Sequence, residues 1–200
     1  RSRVTLAEGT HQRIGGDVVP LDWMPGTDSH FGILRRFPIG PILGITPFNF
    51  PLNLVAHKVA PALAAGNSIL IKPAPQTPLT ALLLGEVALD AGLPPGGLNV
   101  LPCNNQVAEQ LVTDPRFKLL SFTGSAAVGW RLKEKCGKKK VVLELGGNAG
   151  VIVEPDADLD FAAQRCATGG FGYAGQTCIS VQRILVHHTI GDLFTTKLLL

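Results

Sequence analysis

Ser68-Ile69-Leu70-Ile71-Lys72-Pro73-Ala74-Pro75 decides the fold. Its unbroken run of branched aliphatic residues reads as a buried strand, and the prolines after Lys72 stop it. Upstream, a helix fits Leu52 to Ala65, and Gly66-Asn67 ends it with residues suited to a left-handed cap. Downstream, Thr77–Ala91 reads as a helix capped by Gly92, with Pro94-Pro95 beyond it. The alternation continues with a strand at Leu98–Leu101 and a helix at Gln106–Thr113 capped by Asn105. A strand at Lys118–Phe122 follows, then a helix opened by Thr123-Gly124-Ser125 that runs to about Gly137, and a strand at Val141–Leu145. Strands separated by helices of this length predict an α/β fold with a parallel sheet.

Further out, Gly32–Pro38 and Ile42–Thr46 flank an Ile-Gly-Pro turn and read as a hairpin. Residues 1–30 are polar and glycine-rich, and read as loops with one short strand near Asp17–Leu21. Beyond Gly146-Gly147 come a strand at Gly150–Val153 and a helix from Leu159 to about Thr168. A cysteine-bearing loop, a strand at Gln182–His187 and a helix from about Ile190 complete the chain. The double glycine is the expected domain boundary, dividing residues 1–146 from 147–200.

Composition excludes several function classes. Of the 200 residues, 46% are hydrophobic and 16% charged, which supplies a core and argues against disorder. A net charge of +3 without a Lys/Arg stripe gives no case for nucleic acid; Lys138-Lys139-Lys140 reads as a solvated turn. No apolar run approaches the ~18 residues needed to span a membrane. The four cysteines, Cys103, Cys136, Cys166 and Cys178, show no zinc spacing, and their low density points to reduced thiols in the cytoplasm. No metal site is expected; His187-His188 reads as a strand end. The chain lacks a starting methionine and stops inside an apolar pattern, so a fragment is expected.

Ligands of open parallel sheets bind beyond the carboxyl ends of the strands. Asn49, Lys72, Gly124-Ser125 and Glu144 all fall at such ends, and Cys178 lies in a loop of the next unit. In Gly172-Tyr173-Ala174-Gly175-Gln176-Thr177-Cys178-Ile179-Ser180, glycines precede a cysteine flanked by short polar residues, as a nucleophile requires. Cys178 reads equally as a small buried residue. Asn49 sits between Pro47-Phe48 and Phe50-Pro51, either as a turn-former or as a rigid amide donor to an oxyanion. Lys72 is a snorkelling lysine or a cation for ribose or phosphate. Glu144 lies in an apolar strand, as a buried ion-pair member or a general base. Gly124-Ser125 is not a dinucleotide fingerprint, and a plain helix cap is its simpler reading.

Ile45-Thr46-Pro47-Phe48-Asn49-Phe50-Pro51-Leu52-Asn53, Leu70-Ile71-Lys72-Pro73, Phe122-Thr123-Gly124-Ser125, Leu143-Glu144-Leu145-Gly146-Gly147-Asn148 and Gly175-Gln176-Thr177-Cys178 resemble the aldehyde dehydrogenase superfamily in order and spacing. The resemblance covers about residues 30–200. It implies a Rossmann-like NAD(P)-binding domain followed by the start of an α/β catalytic domain. It implies Cys178 as nucleophile, Asn49 as oxyanion donor and Glu144 as the base that activates water. For the cofactor, NAD or NADP, it implies contacts from Thr46, Pro47, Phe48, Lys72, Phe122, Gly124, Ser125, Val128, Gly129, Leu145 and Gly146. The substrate would be a small aldehyde, pointed toward polar ones by the run from Cys178 to Arg183. The part near residues 31–46 would begin an oligomerisation surface of a homodimer or homotetramer.

Two departures stand out. Pro75 replaces the glutamate that NAD-preferring members carry three residues after the lysine, which permits NADP, and Phe48 replaces a common Trp. The family's downstream Glu-x-Phe-Gly-Pro segment is absent, so the chain alone is expected to be inactive. The alternatives are a CoA-acylating relative, against which Glu144 argues, and a non-catalytic structural relative.

Overall fold

The computed structural model describes residues 13–200; the loops expected for residues 1–12 lie outside them. Two compact units are present. One comprises the residues up to Thr123 with Ala127–Leu143, and the other Gly124–Ala126 with Glu144–Leu200.

The first unit is built on a five-stranded sheet of β3 (Ile42–Ile45), β4 (Ile69–Lys72), β5 (Leu98–Val100), β6 (Leu119–Thr123) and β7 (Lys140–Glu144), in the order β5-β4-β3-β6-β7. β3 is parallel to β4 and to β6, and β4 is parallel to β5. At the far edge, the Lys140 N–H donates to Lys118 O and the Gly124 N–H to Glu144 O, so β7 runs in the same sense as β6. The helices are α1 (Asn53–Ala64), α2 (Leu79–Asp90), α3 (Asn105–Thr113) and α4 (Ala126–Lys135). The parallel α/β sheet read from the alternation is observed.

α1 covers one face. Its Val55, Val59 and Ala62 bury against Ile42, Ile69 and Ile71, and Ala81 of α2 joins the cluster. Pro61 lies in the last turn and gives up one i→i−4 hydrogen bond there, shortly before the chain leaves the helix at Ala65. Gly66 follows in the left-handed region, as the sequence predicts.

Two expectations are corrected. β3 does not form a hairpin with the Gly32–Pro38 run. β2 (Phe31–Arg35) pairs antiparallel with β1 (Gly16–Pro20), while β3 lies inside the parallel sheet. Burial decides this: all four β3 residues are buried, so the strand needs neighbours on both edges, whereas Phe31, Ile33 and Leu34 of β2 are exposed. The cap of α3 is Asn104 rather than Asn105; its side chain accepts from the Val107 N–H at 2.9 Å.

The second unit pairs β8 (Ala149–Val153) in parallel with β9 (Val181–Val186). Its core joins Val153, Ala163 and Cys166 of α5 (Leu159–Phe171), and Phe194 of α6 (Gly191–Leu199). Asp158 caps α5 by accepting from the Phe161 N–H. Among the described residues no helix is long and apolar enough to cross a membrane.

Candidate active site

Register across β4-β3-β6 aligns Ile45 with Lys72 on one side and Phe122 on the other. The residues that follow, Thr46, Pro73 and Thr123, therefore sit together on the carboxyl rim, where open sheets bind ligands. Thr46 is buried, and its N–H donates to Lys72 O. Phe122 and Gly129 are buried, and Pro47, Gly124 and Val128 are half-buried. Phe48 and Ser125 are exposed. Asn49 is half-buried in the turn leading into α1, and its side-chain oxygen is buried.

Lys72 does not snorkel. It is only 3% exposed, and its Nζ donates to Asn105 Oδ1 at 3.4 Å. No carboxylate lies within ion-pair distance of it among the described residues. Burial pushes its pKa below the ordinary lysine value, and the nearby Cys103 thiol partly opposes this. On the loop that follows it, the Thr77 hydroxyl is buried with no hydrogen-bond partner among the described residues. A buried ammonium and an orphaned buried hydroxyl fit a ligand with ribose hydroxyls or phosphate oxygens. The donor set at this rim therefore suits the sugar and phosphate groups of a nucleotide.

Sequence reasoning missed Lys58. It reads as an ordinary surface residue of an amphipathic helix, yet it is 7% exposed and donates to Ser121 Oγ (3.0 Å) and Thr123 Oγ1 (2.8 Å). The one available signal was Gly44, a glycine inside a buried strand, which marks a close approach by another group.

In the second unit, α5 ends at Gly172 and the chain turns through a short 3-10 segment, Gly172–Gly175. Tyr173, Ala174 and Gly175 all have positive φ (55°, 52° and 72°). Gly175 takes this conformation freely; the other two are strained. The loop is tied down behind Cys178. The buried Ser180 donates from Oγ to Gly170 O at 2.9 Å, and its N–H to Thr177 O. Cys178 lies in this turn before β9, not at a helix start. It is exposed, while Cys136 and Cys166 are buried and Cys103 is half-buried. Burial raises the Cys136 and Cys166 thiols, which keeps them protonated and inert.

Within the second unit, the turn after Glu144 reaches this loop. Gly147 approaches so closely that a Cβ there would stand 2.7 Å from Cys178 O. Leu145 is half-buried and Gly146 exposed. Glu144 itself is exposed, against the expected burial. It ends the edge strand β7 and shares its alternate face with Lys140 and Val142, which are exposed as well.

The model of the aldehyde dehydrogenase family matches residues 3–199. The chain belongs to the aldehyde dehydrogenase family.

Among its relatives is a 3-sulfolactaldehyde dehydrogenase of Priestia aryabhattai, 46% identical over 94% of this chain and 39% of that protein. A benzaldehyde dehydrogenase [NAD(+)] of Pseudomonas putida is 46% identical over 96% of this chain and 41% of that protein. Among solved structures, an NADP-dependent glyceraldehyde-3-phosphate dehydrogenase from Bacillus halodurans C-125, complexed with NADP, superposes with a TM-score of 0.93 at 35% identity. It covers 98% of this chain and 42% of that one. This aldehyde dehydrogenase family member thus spans about two fifths of the length of the relatives it matches.

Proposed function

We propose that the chain carries the dinucleotide-binding sheet and the nucleophile of an NAD(P)-dependent aldehyde dehydrogenase that oxidises an aldehyde to a carboxylic acid. The approach of the Gly147 backbone to Cys178 carries this reading. It sets the turn that follows Glu144 against the loop of the one exposed thiol among the described residues.

In this reading the Cys178 thiolate adds to the aldehyde carbon and forms a thiohemiacetal. The Asn49 side-chain amide and the Cys178 backbone N–H donate to the oxyanion as it develops. When bound, the nicotinamide ring supplies the acceptor for the hydride that leaves this carbon. Collapse of the oxyanion leaves a thioester on Cys178. Glu144 then takes a proton from water as the water attacks the thioester carbon, and Cys178 departs as thiolate. Glu144's exposure suits this task, because it must meet water. Lys72 holds the adenosine ribose, and Gly124, Ser125 and Gly129 run along the pyrophosphate. Thr46, Pro47, Phe48, Phe122, Val128, Leu145 and Gly146 line the remaining cofactor surface. Pro75, exposed and uncharged, offers nothing to repel a 2′-phosphate.

The substrate is a small polar aldehyde, supported by the sulfolactaldehyde relative. Residues 1–146 form the cofactor domain and 147–200 begin the catalytic domain. Assembly as a homodimer or homotetramer is supported by the apolar residues exposed on the β1–β2 ribbon, Val18, Phe31, Ile33 and Leu34. A cytoplasmic location is supported by four free thiols.

The test is reduced-nicotinamide absorbance on the complete enzyme, with short polar aldehydes, benzaldehyde, NAD and NADP. Turnover that Cys178→Ala abolishes is expected. Turnover that needs added CoA would replace hydrolysis by thioester transfer, and no turnover on any aldehyde would overturn the reading.

A further inference from the structure

The amino end of the sheet carries a cavity that the proposed chemistry does not use. Its volume is about 360 Å³, within the usual range for small-molecule pockets. It lies beside the start of β6, where α3 ends at Thr113 and α4 gives way to β7. The half-buried Phe117 and the buried Cys136 give it apolar walls, and Lys118, Lys138 and Lys139 line it too. The sequence reads Lys138-Lys139-Lys140 as a solvated turn, yet Lys139 is half-buried.

The acids near these lysines are already engaged. Asp114 accepts from the Arg116 guanidinium on both carboxylate oxygens, at 2.6 to 3.1 Å. Lys139 feels Asp114 only at longer range. Glu109 is held by Arg131 and Lys135. Lys118 Nζ donates to Pro115 O at 3.1 Å, a neutral acceptor. Among the described residues, no carboxylate forms an ion pair with Lys118, Lys138 or Lys139. Three ammonium groups without counter-ions around apolar walls raise the local concentration of anions, and favour those that bring apolar surface with them.

We infer that this cavity is a second small-molecule site, which takes an organic anion. One phosphate or carboxylate group meets Lys118, Lys138 and Lys139, and a compact apolar body seats against Phe117 and Cys136. The site shares no residue with the rim assigned to the dinucleotide. The five residues of β6, at about 3.3 Å each, hold the two apart by about 16 Å. The inference therefore stands or falls separately from the proposed function.

The test is isothermal titration of the complete enzyme with phenyl phosphate, benzoate and inorganic phosphate, each with and without excess NADP. Phenyl phosphate or benzoate should bind once per chain, and the tighter of the two identifies the preferred head group. Excess NADP should leave that binding unchanged. Inorganic phosphate should bind at least about tenfold more weakly than phenyl phosphate, because it has no apolar body to bury. Lys139→Gln should weaken the organic anion about tenfold, the loss of one hydrogen bond to a charged group. Thr113→Trp, at an exposed position, should fill the cavity and abolish binding while aldehyde turnover stays at the wild-type level. If Thr113→Trp does not fold, Lys139→Gln decides alone. The inference is overturned if neither organic anion binds, if NADP displaces them, if inorganic phosphate binds as tightly, or if the folded variants bind like the wild type.

Discussion

Gly44→Ala is the sharpest test of how the first unit is assembled. The added methyl would stand 2.6 Å from Ile71 Cδ1 and 3.4 Å from both Ile69 Cδ1 and Lys58 Cδ. Carbon atoms settle at about 3.5–4.0 Å, so Ile71 must move by about 1 Å. It has nowhere easy to go, being fully buried among Ile42, Val55, Val59 and Ala81. Overpacking of this kind costs about 1–3 kcal/mol. Restricting the unfolded chain by removing a glycine offsets about 0.4–1 kcal/mol. The net loss is about 1–2 kcal/mol, or a fall in Tm of roughly 2–8 °C for a chain of this size. Circular dichroism melts of Gly44→Ala would read it.

The companion change is Ile71→Val, which removes the very atom that clashes. Alone it costs about 0.5–1.5 kcal/mol. Combined with Gly44→Ala it should cost at least about 0.5 kcal/mol less than the sum of the two. Strict additivity, or an unchanged Tm for Gly44→Ala, would refute the close approach of Ile71 to β3.

The remaining predictions concern chemistry and charge. Cys178→Ala should abolish dehydrogenase turnover in the complete enzyme while leaving dinucleotide binding, read by titration, intact. Glu144→Gln should retain the burst of reduced nicotinamide in stopped-flow but slow the steady state by about 10²-fold or more, the usual scale for a lost general base. Pro75→Glu should shift the ratio of kcat/KM toward NAD, because a carboxylate there would face the 2′-phosphate of NADP. Lys72 has a lowered native pKa, so the unfolded chain binds more protons in the alkaline window between that value and the ordinary lysine value. Stability of the ligand-free protein should therefore rise with pH through that window relative to Lys72→Met, as denaturant melts would show.

The parallel sheet was legible because its strands announce themselves locally. Ile69-Leu70-Ile71 can only be buried, and prolines or glycines punctuate each unit. Helix positions were legible to within about three residues; α1, expected at Leu52–Ala65, spans Asn53–Ala64, and α5, expected to end near Thr168, ends at Phe171. Pairing was not legible. β2 lies nearer to β3 in sequence than to β1, and only the burial of all four β3 residues separates the two partners. The rim residues were legible as strand ends followed by polar side chains. Glu144 misled because an apolar strand implies burial only when both its edges are covered, and β7 lies at an edge. Lys58 was invisible because its partners, Ser121 and Thr123, lie far along the chain.

The three consecutive left-handed residues before Cys178 bear on how such a protein would age. Tyr173 and Ala174 each hold a backbone conformation that costs about 1–2 kcal/mol. The Ser180–Gly170 bond is among the local anchors that hold this loop. The loop therefore opens at a lower free energy than the sheet unfolds. On warming or long storage, the nucleophile's geometry is lost while the fold still reads as native. Inactivation would then precede the melting transition, and shelf life would follow this loop rather than Tm.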